Sequence, residues 1–273
     1  MSSFARPPVT NIQPTATTEK NQRGAFLSDC KAFILHLERA RPRRAQVEKL
    51  CAALPMPAEI LQAVDGSSLS EAEVSRIYAR HIHAPRFYFG LNRAEIGAFL
   101  SHRAAWRRIV DEGLDYAVVF EDDAGVDPAQ FARTCAFAKA SRAQWDYVLA
   151  PAMNRGLLRT RSAGQRVALH HPSAPPLRAL AQFVSNAAAR RLLAATEQFD
   201  RPIDTFLQMS WVTGVELLTF QPSGVHDASG ALGGSTIQRP SKSTREKIWR
   251  ELSRPLYRAQ VRLYYALAPR PSD

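Results

Sequence analysis

The sequence predicts an α/β fold: a largely parallel, Rossmann-like sheet with helices flanking it. Three observations point there. Apolar runs of four to six residues alternate with segments of helical period from about residue 31 to residue 220. The chain has 273 residues and is 45% hydrophobic, enough to bury a sizeable core without disulfides or structural metals. Its three cysteines, Cys30, Cys51 and Cys135, are scattered and form no Cys-x-x-Cys pair. That argues against a disulfide framework and a cysteine-based zinc site, and it favours a reducing compartment. A single domain is expected over residues 30–238, after a flexible tail over 1–29 and before a basic helical tail over 239–273.

Ala32 to Leu37 is an apolar run bounded by charge and reads as a buried strand. Pro42 marks a turn, and Ala45 to Leu54 carries helical spacing closed by Pro55 and Pro57. Ile60 to Val64 suits a second strand and Asp65-Gly66 a turn. Ser70 to Glu73 is a capping-box pattern opening a helix through Tyr78. The longest helix is expected over Asn92 to Val110, where Ile96, Phe99, Leu100, Trp106, Ile109 and Val110 recur at helical intervals. Tyr116 to Phe120 is a strong strand signal. A helix follows over Pro128 to Lys139 and a strand over Trp145 to Leu149; Met153 to Pro176 reads as a long irregular loop. Ala181 to Val184 is a strand, Ser185 or Asn186 caps the helix after it, a further helix begins at Arg201 to Asp204, and Val215 to Phe220 closes the series as a strand.

In such sheets, ligands sit beyond the carboxyl ends of the strands. The polar residues following Tyr116 to Phe120 are three adjacent carboxylates, Glu121, Asp122 and Asp123. In an extended chain, two-residue alternation puts Glu121 and Asp123 on one face and Asp122 on the other, unless the strand has already turned. A divalent cation would relieve their repulsion, and Mg²⁺ or Mn²⁺ characteristically takes one or two carboxylates plus phosphate oxygens. A solvated turn after a strand is the competing reading.

The net charge of +11 and the isoelectric point near 10.1 admit nucleic acid, an anionic membrane surface or an anionic substrate as partner. Residues 239–273 hold nine Arg and Lys against three acids, so the charge is largely that of one terminal segment. This concentration and the acidic strand end argue against nucleic acid. No signal-like or spanning segment is evident, and the expected location is cytoplasmic, with peripheral contact at a membrane from that side. In the tail, Ser243 to Glu246 is another capping box, and Ile248, Trp249, Leu252, Leu256, Tyr257, Val261, Tyr264 and Tyr265 lie at near-helical intervals between arginines. Pro255 should kink or split this helix. It suits either an interfacial segment on anionic lipid or a helix packed on the body.

Four segments together resemble glycosyltransferase family 25, the family of lipooligosaccharide galactosyltransferases. They are Phe33 to Arg39 with Arg43-Arg44; Ala63-Val64-Asp65-Gly66; Leu91 to Trp106 with Val119 to Asp123; and Val184 to Leu193 with Pro202 to Leu207. His36 stands where the family has Asn, and Ala98 where it has Cys. The resemblance implies a metal-dependent, GT-A-like enzyme moving a hexose, galactose first, from a UDP-sugar to a glycan or glycolipid acceptor. It implies Asp123 and Glu121 as ligands to Mn²⁺ or Mg²⁺, Glu121, Asp122 and Asp123 together as the metal and donor site, and Asp204 as the base or acceptor contact, with Asp122 also a candidate for the catalytic chemistry. Arg39, Arg43 and Arg44 would meet the diphosphate. His102 would bond a donor phosphate or fix the acidic loop, with Ser101 beside it, and Glu95 would contact sugar or support a neighbouring ligand. His226 stands where a second metal ligand could come from. A basic nucleic-acid-binding protein and a metal-dependent phosphoesterase are the alternatives.

Overall fold

A computed structural model describes residues 30–150, 157–232 and 244–268. The expected tail over 1–29 lies outside the described residues. Strand β1 (Cys30–His36) sends Phe33 and Leu35 to one face and Ala32 and Ile34 to the other, all of them buried. This is the alternation of a strand covered on both sides. It lies between β2 (Ala58–Gln62) and β3 (Tyr116–Glu121), parallel to both. Helix α1 (Arg44–Ala53) links β1 to β2; α2 (Glu71–Ile77) and α3 (Arg93–Asp111) lie between β2 and β3. The Ser70–Glu73 capping box forms as expected, and a second one, Asn92 with Glu95, opens α3.

After β3 come β4 (Ala124–Val126), α4 (Pro128–Ala140), β5 (Tyr147–Leu149), β6 (Leu158–Ala163), β7 (Ala168–Pro172) and β8 (Ala181–Ser185). Then follow α5 (Asn186–Ala195), α6 (Ile203–Phe206), α7 (Ser210–Thr213), β9 (Leu218–Gln221), β10 (Val225–Asp227) and α8 (Thr244–Leu267). The main sheet is ordered β2-β1-β3-β8-β5-β9-β7-β6. Strands β1, β2, β3, β5, β6 and β9 share one direction; β7 and β8 oppose it. Helices α3, α5 and α6 cover one face around Phe99, Trp106 and Leu192; α1 and α4 cover the other around Leu50 and Phe131.

The segment expected to be an irregular loop is instead, over its described part, the β6–β7 hairpin. Val167 and Leu169 face inward, while Arg159 and Thr160 stay exposed, as on an edge strand. Ser185 is the cap of α5, its side chain accepting from the Ala188 N–H at 3.0 Å. Of the kink or split expected at Pro255, the split does not occur: helix α8 runs without interruption through it. Its Tyr257, Val261 and Tyr265, all on the C-terminal side of the proline, are buried against the body. The side chains of Ile248, Trp249 and Leu252, and of the Ser243–Glu246 box, lie outside the described residues.

A buried ion pair ties this helix down. Arg201 Nε donates to Asp200 Oδ1 at 2.7 Å, and its Nη1 donates to the Tyr257 hydroxyl at 2.8 Å. Its Nη2 reaches the carbonyls of His83 and Pro85 at 3.0 and 3.1 Å. The Asp200 side chain also accepts the His83 backbone N–H at 3.0 Å.

Two glycines explain the Asp65-Gly66 turn and the start of α3. A Cβ on Gly97 would stand 2.6 Å from both Gly66 N and Val64 O, and one on Gly66 would strike the Arg93 carbonyl. These are backbone atoms with nowhere to go. Gly97→Ala is therefore expected to cost about 1–3 kcal/mol through overpacking. Thermal unfolding should show a loss of roughly 2–12 °C; a melt within a degree of the parent would mean the two backbones are not in contact.

Candidate active site

The carboxyl ends of β1, β2 and β3 open on one edge of the sheet. Because β8 runs the other way, it brings its first residues, Ala181 and Gln182, to this same edge, opposite Phe120 and Val119. Glu121 ends β3 on the α3 face, in step with Ala117 and Val119. There His102, buried on α3, places Nε2 3.3 Å from Glu121 Oε1. Fully buried Gln182 holds the other ring nitrogen: its amide nitrogen lies 2.9 Å from His102 Nδ1 and 3.3 Å from the Ala179 carbonyl. A nitrogen between those two groups must donate to both. Nδ1 is then the acceptor, and Nε2–H donates to Glu121. Of the two roles open to His102, the geometry gives it that of fixing the acidic residue.

The strand has already turned at Asp122, which points away from Glu121 toward Arg43 and His36. Arg43, 5% exposed, bonds its Oδ1, and His36 Nδ1 lies 3.3 Å from its Oδ2. Thus Asp122, expected to take part in the chemistry, is occupied in holding the turn. The turn is pinned further by Gln46, whose amide donates to the Ala124 carbonyl at 2.9 Å, by Glu121 N–H to Leu180 O at 2.9 Å, and by Ala228 N–H to Asp123 O at 2.8 Å. Strand β4 continues from it and pairs with β10 in a small second sheet.

Asp123 is the unsatisfied member. Its Oδ1 is buried with no hydrogen-bond partner, and Arg43 comes only to 3.8 Å of Oδ2. Its carboxyl is pushed up to about 6 by burial first and by the charge of Glu121 next, with Asp122 and Asp227 adding and Arg43 opposing. A buried carboxylate oxygen with no donor, in a net negative field, fits a divalent cation held by two protein carboxylates and completed by other oxygens. Among the described residues, no group of three His, Cys, Asp or Glu side chains could hold an ion unaided.

Asp204 lies in the single turn of α6 and is partly exposed. Burial raises its pKa; the Thr205 hydroxyl, 3.1 Å away, opposes this, and the charges of Glu121 and Glu95 raise it further. Glu121 and Glu95 therefore both stand within electrostatic reach of Asp204. Glu95 is partly committed, since its Oε2 accepts the Asn92 N–H at 2.8 Å to complete the α3 cap.

Other expected ligands are placed elsewhere. Ser101 donates to Gly97 O and accepts the Val64 N–H, both at 2.8 Å, so it staples the β2–α3 connection and is not free to bind donor. Arg44 faces solvent and pairs with Glu48 one turn on. Arg39 is exposed and pairs with Asp65 at 2.9 Å across the ends of β1 and β2. Of the three arginines, only Arg43 turns into the acidic loop. His226 is exposed on β10, with its ring over Gly125, where a Cβ would strike it. Gln182 was not singled out from the sequence; its only signal is a lone amide in an otherwise apolar strand.

The sequence model of Glycosyltransferase family 25 (LPS biosynthesis protein) matches residues 29–165, half of the chain. Procollagen galactosyltransferase 2 of Homo sapiens is 30% identical over 94 residues, covering 33% of this chain and 15% of that protein. A glycosyltransferase 25 family member of Drosophila pseudoobscura pseudoobscura is 32% identical over 128 residues, 45% of this chain and 20% of that protein. The inactive glycosyltransferase 25 family member 3 of Mus musculus is 31% identical over 96 residues, 34% of this chain and 16% of that protein. The chain thus matches at most a fifth of the length of these curated relatives.

Proposed function

The chain belongs to glycosyltransferase family 25, and from that premise we propose that it transfers a hexose, galactose by preference, from a UDP-sugar to a hydroxyl of a lipopolysaccharide-class glycan with the aid of Mn²⁺ or Mg²⁺. The observation that carries the reading is the buried, donorless Asp123 Oδ1 beside Glu121 at the carboxyl edge of the sheet. The galactosyltransferases among the relatives support the choice of sugar, and the description of the matching family supports the acceptor class.

A bound divalent ion supplies positive charge to the diphosphate that departs from the sugar. Asp123 and Glu121 would hold it. His102, set by Gln182, orients Glu121 through its Nε2–H. Arg43 and His36 hold Asp122 so that the turn keeps its shape without substrate. Asp204, partly exposed and with raised proton affinity, is the group suited to take the proton from the acceptor hydroxyl.

The test is a donor screen of UDP-, GDP- and CMP-sugars with and without Mn²⁺, reading both the released nucleotide and the sugar on the acceptor. Turnover of UDP-galactose that chelator abolishes is expected. In Asp204→Asn, kcat should fall on the order of a hundredfold or more, with donor KM little changed. Absence of nucleotide-sugar binding by isothermal titration with Mn²⁺ present would reject the reading, and free phosphate as the product would replace it with a phosphoesterase.

A further inference from the structure

We infer that the outer face of α8 is a docking surface for an anionic lipid bilayer. The helix is fixed on the body by Tyr257, Val261 and Tyr265, by the Arg201–Tyr257 bond, and by the Tyr265 hydroxyl donating to Pro172 O at 3.3 Å. Its opposite face is therefore held outward. That face carries Leu256, Leu263 and Leu267, which are 53, 57 and 74% exposed, with the exposed Pro255, Ala259 and Ala266 between them. Together these side chains form one apolar row along the helix. Of the six such side chains exposed among the described residues, four, counting Tyr264, belong to this helix.

Charge selects the occupant. Residues 253–268 contain no Asp or Glu. Arg254, Arg258 and Arg262 rise at four-residue intervals along one edge of the outer face, and all three are exposed. An apolar stripe edged with arginine, lying flat on a folded body, matches the headgroup–acyl boundary of an anionic leaflet. No helix among the described residues is long and apolar enough to cross a bilayer, so the geometry is that of a helix lying on it. A second copy fits less well. The stripe from Leu256 to Leu267 is about 16 Å long and about 10 Å wide, far below the roughly 800 Å² per partner of a stable interface, and pairing would set arginines beside arginines. Nucleic acid would use the arginines and leave the leucines unexplained.

The test is co-sedimentation of the full chain with phosphatidylcholine vesicles and with vesicles of phosphatidylcholine and phosphatidylglycerol in equal parts. Binding to the mixed vesicles alone is expected, weakening as salt rises. Leu263→Glu with Leu267→Glu, and separately Arg258→Glu with Arg262→Glu, should each cut partitioning on the order of tenfold or more. These residues are exposed, so melting should be unchanged; if the Glu variants melt low, Leu263→Ser with Leu267→Ser carries the same expectation. No pelleting, equal pelleting with both vesicle types, or indifference to the variants would overturn the inference. So would a concentration-dependent dimer in sedimentation velocity that the leucine variants abolish, or retention by an oligonucleotide that exceeds vesicle binding. None of these readouts depends on catalysis.

Discussion

Asp123→Asn is expected to melt higher than the parent chain at pH 8 and to lose its cation-dependent turnover. Burial and Glu121 raise the Asp123 carboxyl from 3.8 to about 6 in the folded state. A group whose folded value is raised holds its proton more tightly when folded, so stability is greatest below about pH 4 and is lost as pH rises through about 6. Above that, the parent carries a buried charge that Asn does not. The shift corresponds to about 2–3 kcal/mol, or roughly 4–12 °C in melting temperature. The gain should vanish when both proteins are melted near pH 4. Saturating Mn²⁺ should raise the melting temperature of the parent but not of the variant, because only a folded state that holds the ion is stabilised by it. Turnover in the variant should fall by a hundredfold or more. Equal melting at pH 8 together with retained Mn²⁺-dependent turnover would show that Asp123 is an ordinary surface carboxylate.

Arg201→Met should be the most destabilising single change outside the acidic loop. The Asp200 and Arg201 side chains are both fully buried. Removing the guanidinium leaves the Asp200 carboxylate with only His83, whose ring nitrogen lies 3.4 Å from it, and the His83 backbone N–H. Breaking a buried pair in this way costs about 3–5 kcal/mol, or roughly 6–20 °C. In the parent, Arg201 and His83 hold the Asp200 carboxyl well below its ordinary range against the cost of burial. The pair therefore stabilises the fold above about pH 4 and ceases to do so as the solution becomes more acid. Arg201→Met removes part of that stabilisation, so its deficit should be largest at neutral pH and should shrink as the solution is acidified. Adding Asp200→Asn should restore most of the loss, since a neutral amide needs no counter-ion. A double variant no better than the single one would place the cost in the lost Tyr257 and carbonyl contacts. Hydrogen exchange should in either case show α8 and residues 79–92 opening first.

Much of this arrangement is legible in the residues before any coordinates. The strand through Phe33 and Leu35, the long helix carrying His102, and the buried strand that leads into three carboxylates follow from period and alternation. What was not legible depends on distance in space. Spacing cannot say which of Arg39, Arg43 and Arg44 turns inward; only Arg43, at the N-cap of α1, faces Asp122 across the sheet edge. Ser101 and Glu95 are chemically suited to bind sugar, yet a backbone N–H lies nearer to each. Asp200 and Arg201 carry no sequence signal of burial, since adjacent opposite charges are usually solvated. The β6–β7 hairpin was missed because arginine and threonine on an edge strand look like loop composition, and β4 and β10 are too short to show a period.

The reversed strand β8 also governs how the molecule can be assembled as it is synthesised. Strands β1 and β2 and the helices between them precede β3, so one side of Tyr116–Glu121 finds its neighbour at once. The other side waits for Ala181 to Ser185, about 60 residues later. At ribosomal speeds of about 5–20 residues per second, that flank stays bare for roughly 3–12 s. It presents Tyr-Ala-Val-Val-Phe, a segment well suited to pairing with a strand of another nascent chain. Slower translation lengthens this interval, so yield on recombinant production should depend on elongation rate and on holdase chaperones more than on the stability of the finished fold.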